Sequence, residues 1–278
     1  MNSDAGAAVA RLVKIMARLR AEGGCPWDRE QDLRSLRPYL VEEAFEVLEE
    51  MDRVVNGGPW SALCEELGDL LFQIVFHAQL ASEQGQFGMA DVARAIAEKI
   101  ENRHPHVFGE AKVGSSSEVL ANWARLKAEE KRRRTGREGS VLDGVPAAAP
   151  ALLRAERLTE KASQVGFDWP SLAGVRAKLD EELAELDRAI ASRERASIEH
   201  ELGDVLFSLA NLARFLHTPG EDALREANGR FVRRFHRVEA ALRAEGISPA
   251  KASLERMERE WEAAKREEAE RTSKPNPA

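Results

Sequence analysis

Glu201-Leu202-Gly203-Asp204-Val205-Leu206-Phe207 is the stretch that decides the fold, and Glu66-Leu67-Gly68-Asp69-Leu70-Leu71-Phe72 is its near copy upstream. Each copy places two carboxylates at positions i and i+3 and follows them directly with an apolar run. On a helix, this spacing puts the two acids on one face, one turn from each other. The apolar neighbours predict that this face is directed into the protein, where a carboxylate is costly unless a positive charge meets it. We therefore interpret the repeated stretch as functional.

A second acidic pair precedes each stretch, on the predicted helix before it. A short break near 192–195 predicts that the two helices of the second half form a hairpin, which would bring the four carboxylates together at its seam. Four such acids cannot all be ionised in a buried pocket without a counter-charge. An all-oxygen set favours hard cations, so we expect Mg2+, with Mn2+ as a substitute. The two expected ligand sets are Glu43, Glu46, Glu66 and Asp69, and Glu182, Glu185, Glu201 and Asp204.

The sequence disfavours two other interpretations of the acids. A single pair at i, i+3 is an ordinary feature of a solvated helix face, but a paired and duplicated pattern beside apolar residues disfavours that explanation. A di-iron carboxylate bundle needs Glu-x-x-His pairs, and neither quartet contains one.

The two halves of the chain repeat each other beyond the acids. Lys99, Asn102 and Arg103 fall where Arg230, Arg233 and Arg234 fall, and Trp123 corresponds to Trp261. Between the halves, the segment 135–150 holds three Gly, two Pro and three consecutive Ala, which is linker composition. We predict a helical domain at 1–134, a linker at 135–150, a second helical domain at 151–272 and a disordered tail at 273–278.

The fold class follows from composition and periodicity. Ala, Leu, Glu and Arg dominate, which favours helices over strands, and no strand-period segment of useful length occurs. The sequence therefore predicts an all-α protein of two tandem helical bundles. A helix is expected from Ser117 to about Arg134, a turn at 23–28 and a loop at 104–109.

Charge and apolar content limit the partners. The formal net charge of -7 disfavours a general binder of nucleic acid or anionic membranes. The most apolar window, Leu70–Leu80, is too short to span a bilayer, and no signal peptide is apparent. Cys25 and Cys64 form no CxxC pair, so neither a disulfide framework nor a zinc site is indicated. These features predict a cytoplasmic protein.

The chain resembles the MazG family of nucleoside triphosphate pyrophosphohydrolases. The resemblance rests on ExxE followed by ExxD in both halves, and on three further segments. It covers nearly the whole chain and implies an all-α homodimer that hydrolyses NTP to NMP and diphosphate, with Mg2+ on the acids. The three segments are Gly24-Cys25-Pro26-Trp27-Asp28, Arg103-His104-Pro105-His106-Val107-Phe108 and Val165-Gly166-Phe167-Asp168-Trp169.

The resemblance also implies roles for residues of the second half. Arg230 stands where Lys is also familiar in the family, and either residue supplies a cation. The base that activates water is left open between Glu181 and Glu182, and Trp261 is assigned equally to base stacking or to a packing role. The implied catalytic residues are Glu181, Glu182, Glu185, Glu201 and Asp204, and the implied substrate-binding residues are Lys178, Glu181, Ser197, Ile198, Glu199, His200, Arg230, Arg233, Arg234 and Trp261.

Three questions stay open at the level of sequence. Both quartets are intact, but Asn102 replaces a cation in the first half, so the second half is expected to be the main active site. A narrow dUTP or phosphoribosyl-ATP pyrophosphohydrolase is an alternative, as is a non-catalytic helical dimer that serves as a binding or regulatory module. The preferred nucleotide base is not encoded in any recognisable pattern.

Overall fold

The computed structural model describes residues 2–111, 113–115, 118–119, 122–123, 126 and 139–272. The chain divides into two compact units, Met1–Arg134 and Thr135–Ala278. Throughout the described residues the regular structure is helical and contains no strand, which confirms the all-α prediction. None of the helices in this described part is both long and apolar enough to cross a bilayer.

The first unit is built around the hairpin of helices α3 (Arg37–Val55) and α4 (Trp60–Glu83). Helix α1 packs on α4, and a core of Met16, Leu36, Val75, Phe76 and Leu80 forms beneath them. The helices are α1 (Asn2–Arg20), α2 (Pro26–Glu30), α3 (Arg37–Val55), α4 (Trp60–Glu83), α5 (Met89–Arg103) and α6 (Pro105–Phe108).

The turn between α3 and α4 requires glycine. Gly57 has a φ of +89°, a left-handed conformation that residues with a Cβ atom rarely adopt. A Cβ atom on Gly58 would lie 2.8 Å from the carbonyl oxygen of Arg53, which is too close without a backbone shift. The Asn56-Gly57-Gly58-Pro59 sequence therefore ends α3 and lets α4 return beside it.

The second unit repeats this hairpin in α8 and α9. The turn between them is two residues long, and Arg193 adopts a left-handed φ of +58° there. Helix α9 also packs on α7, and α10 packs on α11. The helices are α7 (Ala151–Ser163), α8 (Leu172–Ser192), α9 (Arg195–Phe215), α10 (Gly220–Ala244) and α11 (Leu254–Thr272), with a 3-10 turn at Pro249–Lys251.

Some local predictions were wrong. The predicted loop at 104–109 contains helix α6, and the predicted turn at 23–28 leads into α2 at Pro26. Both short helices begin with proline, whose fixed φ suits the first helical position, but segments this short show no periodicity. Helix α7 was not predicted at all.

Other predictions fall partly or wholly outside the described residues. These are most of the helix expected at 117–134, the start of the linker and the tail at 273–278. Residues 139–150 of the expected linker form turns, and Lys161 Nζ donates to the Val141 carbonyl at 3.4 Å. The division into domain, linker, domain and tail stays a prediction.

The apolar run after Asp204 does not point inward as a whole. Val205 and Ala210 are buried, whereas Leu202, Leu206 and Phe207 are 45 to 48% exposed. Consecutive residues on a helix are about 100° apart, so an uninterrupted apolar run necessarily covers more than the buried face. The face that bears the acids, which was predicted to be directed into the protein, is half-buried at Glu201 and Asp204.

Candidate metal centres and substrate contacts

The α8–α9 hairpin assembles the second carboxylate cluster. One carboxylate oxygen each from Glu182, Glu201 and Asp204 lies within 4.8 Å of the others. Glu182 is only 6% exposed, and the other two are half-buried. The two helices thus bring together acids that lie 19 to 22 residues apart in sequence.

Lys178 lies one helical turn before Glu182 and pairs with it. Its Nζ is 2.8 Å from Glu182 Oε1 and 3.0 Å from Glu181 Oε1. The hydrogen bond to Glu182, and then that to Glu181, raises the pKa of Lys178 above its ordinary value. The ammonium group therefore stays charged at neutral pH and compensates the one buried carboxylate of the cluster.

Glu185 is the fourth acid of the expected set and lies outside this group of three. Its Oε1 is 3.1 Å from Arg188 Nη2 on the same helix. The Arg188 side chain is 68% exposed and the Glu185 side chain 35% exposed, so the ion pair is weak. Glu185 can leave Arg188 at little cost if a cation draws it toward the cluster.

The first unit has a corresponding cluster between α3 and α4. Oxygens of Glu43, Glu46 and Glu66 lie within 4.8 Å of one another, and Asp69 is exposed beside them. Burial raises the pKa of Glu43, and the charges of Asp69 and Glu46 add to the effect. Desolvation followed by the charge of Glu46 likewise raises the pKa of Glu66. The first cluster therefore carries uncompensated negative charge.

Gln73 is a buried polar side chain beside the first cluster that sequence reasoning missed. It is 6% exposed, and its Nε2 is 3.5 Å from Glu43 Oε1. Its Oε1 is buried without a hydrogen-bond partner, a state that costs free energy. Gln73 lies seven residues after Glu66, on the same helical face, and that spacing is the signal that marks it.

Glu50 is a second residue that the sequence reasoning did not select. It is buried, contacts Arg53 and contributes to the raised pKa of Glu66. Its position seven residues after Glu43 places it on the cluster side of α3, and the Arg53 contact supplies its counter-charge.

Both clusters fit a divalent cation. Ligand oxygens at about 2.1 Å from Mg2+ stand at most about 4.2 Å apart, so groups already within 4.8 Å need only small rotations. Carboxylate oxygens are the donors that such hard cations prefer. Beside the first cluster, the buried Gln73 has its Nε2 near Glu43 and its Oε1 without a hydrogen-bond partner.

The segment at 197–200 forms the start of α9. His200 is the member that reaches the second cluster, with Nε2 3.4 Å from Asp204 Oδ2. The others contact the helix start itself: Ser197 Oγ donates to Glu194 Oε2 at 3.0 Å, Glu199 pairs with Arg195 at 2.7 Å, and the Ile198 N–H donates to the Glu194 carbonyl at 3.1 Å.

Two of the three arginines expected to bind phosphate connect α10 with α11. Arg234 Nε is 2.8 Å from Glu268 Oε2, and Arg233 Nε is 3.7 Å from Glu268 Oε1. The Arg234 guanidinium also lies 5.7 Å from the ring centroid of Trp261. Arg230 Nη1 is 3.5 Å from Glu226 Oε2. Within the described residues, these contacts do not join the arginines to the carboxylate cluster.

Comparison with known proteins places these clusters in a family. Residues 31–108 and 171–240 match the model of the MazG nucleotide pyrophosphohydrolase domain, and each matched segment contains one cluster. The chain is 44% identical over 263 residues to the nucleoside triphosphate pyrophosphohydrolase of Escherichia coli (strain K12), covering 94% of this chain and 98% of that protein.

Two further relatives extend the comparison. The nucleoside triphosphate pyrophosphohydrolase/pyrophosphatase MazG of Thermotoga maritima is 43% identical over 263 residues, which is 94% of this chain and 97% of that protein. The uncharacterized protein YabN of Bacillus subtilis (strain 168) is 41% identical over 260 residues, covering 93% of this chain and 51% of YabN. The resemblance inferred from the sequence is confirmed, and the chain belongs to the MazG nucleotide pyrophosphohydrolase family.

Proposed function

We propose that this protein hydrolyses nucleoside triphosphates to the monophosphate and diphosphate, with Mg2+ as cofactor and Mn2+ as a substitute, over a broad range of nucleotides. The observation that carries the proposal is the cluster of Glu182, Glu201 and Asp204 with Lys178 beside it. The relatives in E. coli and T. maritima are nucleoside triphosphate pyrophosphohydrolases by name, which supports the reaction type.

The residues of the second unit take distinct roles in this reaction. A bound divalent cation supplies charge neutralisation of the triphosphate and a lowered pKa for water. Glu182, Glu201 and Asp204 hold the cation, with Glu185 joining them. We assign acceptance of the water proton to Glu181, because its carboxylate is exposed next to Lys178 and lies outside the group of three.

The basic surface of α10 serves the phosphates. Arg230, Arg233 and Arg234 carry guanidinium groups suited to bidentate contacts with phosphate oxygens. Trp261 contacts both Phe231 and Arg234, so it positions this surface as well as offering an aromatic face to a nucleotide base. On α8 and α9, the further proposed nucleotide contacts are Lys178, Glu181 and Ser197 to His200.

We further propose a homodimer that works in the cytoplasm. A monomer rarely leaves a large continuous apolar patch in contact with water. In the second unit, Leu202, Leu206 and Leu209 recur on one stripe of α9 and are 42 to 48% exposed. A second copy of the chain would cover this stripe.

The decisive experiment measures diphosphate released from canonical and altered ribo- and deoxynucleoside triphosphates, with Mg2+ and with EDTA. Release from many nucleotides that EDTA stops is the expected result. Release from dUTP alone would favour a narrow enzyme, and release from none would favour a non-catalytic module. Glu201→Gln is expected to abolish most release while Glu66→Gln retains most of it, and the reverse pattern would move the main active site to the first unit.

A further inference from the structure

The two clusters differ at the position four residues before their first glutamate. In the second unit this position is Lys178, and in the first unit it is Tyr39, because Glu182 and Glu43 occupy equivalent places. The Tyr39 ring makes an edge contact with Trp27 at 5.7 Å between centroids. The first unit thus has an uncharged side chain where the second has an ammonium group.

Lys178 already fills the role of a cation in the second cluster. Its Nζ is 2.8 Å from Oε1 of Glu182, the most buried acid of the group. A divalent ion bound to the same carboxylate must either expel the ammonium group or remain close to it. Two like charges about 4 Å apart repel each other, and they do so several times more strongly in a partly desolvated site than in water. Either outcome lowers the affinity for a bare cation.

In the described part of the first unit, no lysine or arginine forms an ion pair with the carboxylates of the first cluster. Among the described residues, no salt bridge reaches Glu43, Glu46 or Glu66, and the nearby Arg53 pairs with Glu49 and Glu50. Gln73 lies against Glu43 with its own oxygen unpartnered. The buried Gln73 side chain therefore reaches the cluster through its Nε2 and carries an unsatisfied oxygen beside it, which a water of a bound cation would satisfy.

We propose that the two centres of this chain bind their metal in different ways. The difference is determined by the side chain at two equivalent positions, Lys178 in the second unit and Tyr39 in the first. The first centre binds a free divalent cation. The second centre binds its cation together with the nucleotide, because the triphosphate gives Lys178 a new anionic partner when it leaves Glu182. Lys178 is therefore a positioning residue for metal loading. The role of the nucleotide rests on the proposed function, whereas the difference between the centres does not.

The test is a titration of the metal-stripped full-length protein with Mn2+ alone, followed by calorimetry and by electron paramagnetic resonance of free Mn2+. Wild type is expected to show one tight site per chain, which Glu66→Gln removes and Glu201→Gln leaves intact. Lys178→Met is expected to tighten the weaker, Glu201-dependent site by roughly tenfold or more. Tyr39→Lys is expected to weaken the tight site.

Two control variants separate this effect from a general change in charge. Arg176→Met removes an equal charge from the same helix, where Arg176 pairs with exposed Asp180, and it should change Mn2+ affinity less than about twofold. Lys178→Arg retains the charge and should resemble wild type. Circular dichroism confirms folding, and Tyr39→Lys tests the idea independently if Lys178→Met is unstable.

Unchanged Mn2+ affinity in a folded Lys178→Met variant would overturn the proposal, as would a tight site that depends on Glu201. Absence of diphosphate release together with the expected Mn2+ pattern would reject the enzymatic function and leave the loading difference standing.

Discussion

Arg214 donates two hydrogen bonds to the carboxylate of Asp168, from Nη1 to Oδ2 at 3.0 Å and from Nη2 to Oδ1 at 2.5 Å. The pair joins the turn before α8 to the end of α9, and both side chains are mostly buried. The guanidinium holds the pKa of Asp168 below its ordinary value. In the first unit, Arg20 connects α1 to α4 in the same way, through Glu83 at 2.7 and 2.8 Å. In both units, a forked ion pair thus joins the second helix of the hairpin to a neighbouring segment.

Asp168→Asn is expected to lower the free energy of unfolding by about 1–3 kcal/mol, because it leaves a mostly buried guanidinium without its charged partner. A depressed carboxyl pKa means that the unfolded state binds the proton first, so this contribution is present at neutral pH. It is lost as the pH falls from the ordinary aspartate value through the lowered one. Urea unfolding from pH 7 to pH 3 should therefore show the wild type and the variant converging in stability.

Asp180→Asn is the matched control, because Asp180 forms an exposed pair with Arg176 that contributes little. Equal losses of stability in the two variants would contradict the role given to Arg214.

Glu66→Gln is expected to change thermal stability in opposite directions with and without metal. In EDTA the substitution relieves repulsion from Glu46 and raises the melting temperature. With excess Mn2+ it removes a ligand and lowers the stabilisation that the metal gives. The raised pKa values of Glu43 and Glu66 mean that protonation already relieves the repulsion at lower pH, so the gain in EDTA should shrink from pH 7 to pH 5.

Differential scanning calorimetry checks this, with Glu42→Gln at an exposed position of α3 as the control. A lower melting temperature of Glu66→Gln in EDTA would show that the first cluster is not under charge repulsion.

Glu182→Gln is expected to lower kcat/KM for diphosphate release more than Glu185→Gln does. Glu182 belongs to the group of three and is buried against Lys178, whereas Glu185 lies outside and pairs with Arg188. We expect kcat/KM for diphosphate release to fall by at least about 100-fold for Glu182→Gln and by about tenfold for Glu185→Gln, or roughly 2.7 against 1.4 kcal/mol. A larger loss in Glu185→Gln would show that substrate and metal rebuild the cluster around Glu185.

Leu206→Lys is expected to convert a dimer into a monomer. Leu206 lies in the middle of the exposed stripe of α9, and a lysine there would bury its charge at a subunit interface. Size-exclusion chromatography with light scattering gives the mass directly. Leu254→Lys introduces the same change at another exposed site, at the start of α11, and should leave the mass unchanged. A monomeric wild type, or a dimeric Leu206→Lys variant, would exclude this interface.

Sequence reasoning was most successful where the structure depends on neighbours along the chain. The break near Ser192 and the glycines at 57 and 58 mark hairpin turns in the sequence and in the structure. The duplicated acid pairs lie on facing helices, as their spacing predicts. The short helices α2 and α6, which begin with proline, were not predicted, because five and four residues are too few to show helical periodicity.

The sequence by itself determined the helical class, the duplication and the acidic pattern, because helical spacing and composition are local properties. Only the tertiary structure decided which three acids of each quartet meet, that Glu182 is the buried acid of its cluster, and that Gln73 is buried against Glu43 with an unpartnered oxygen. These relationships depend on the register of one helix against another and on which side chains exclude water. Neither quantity is carried by the spacing of residues along one helix.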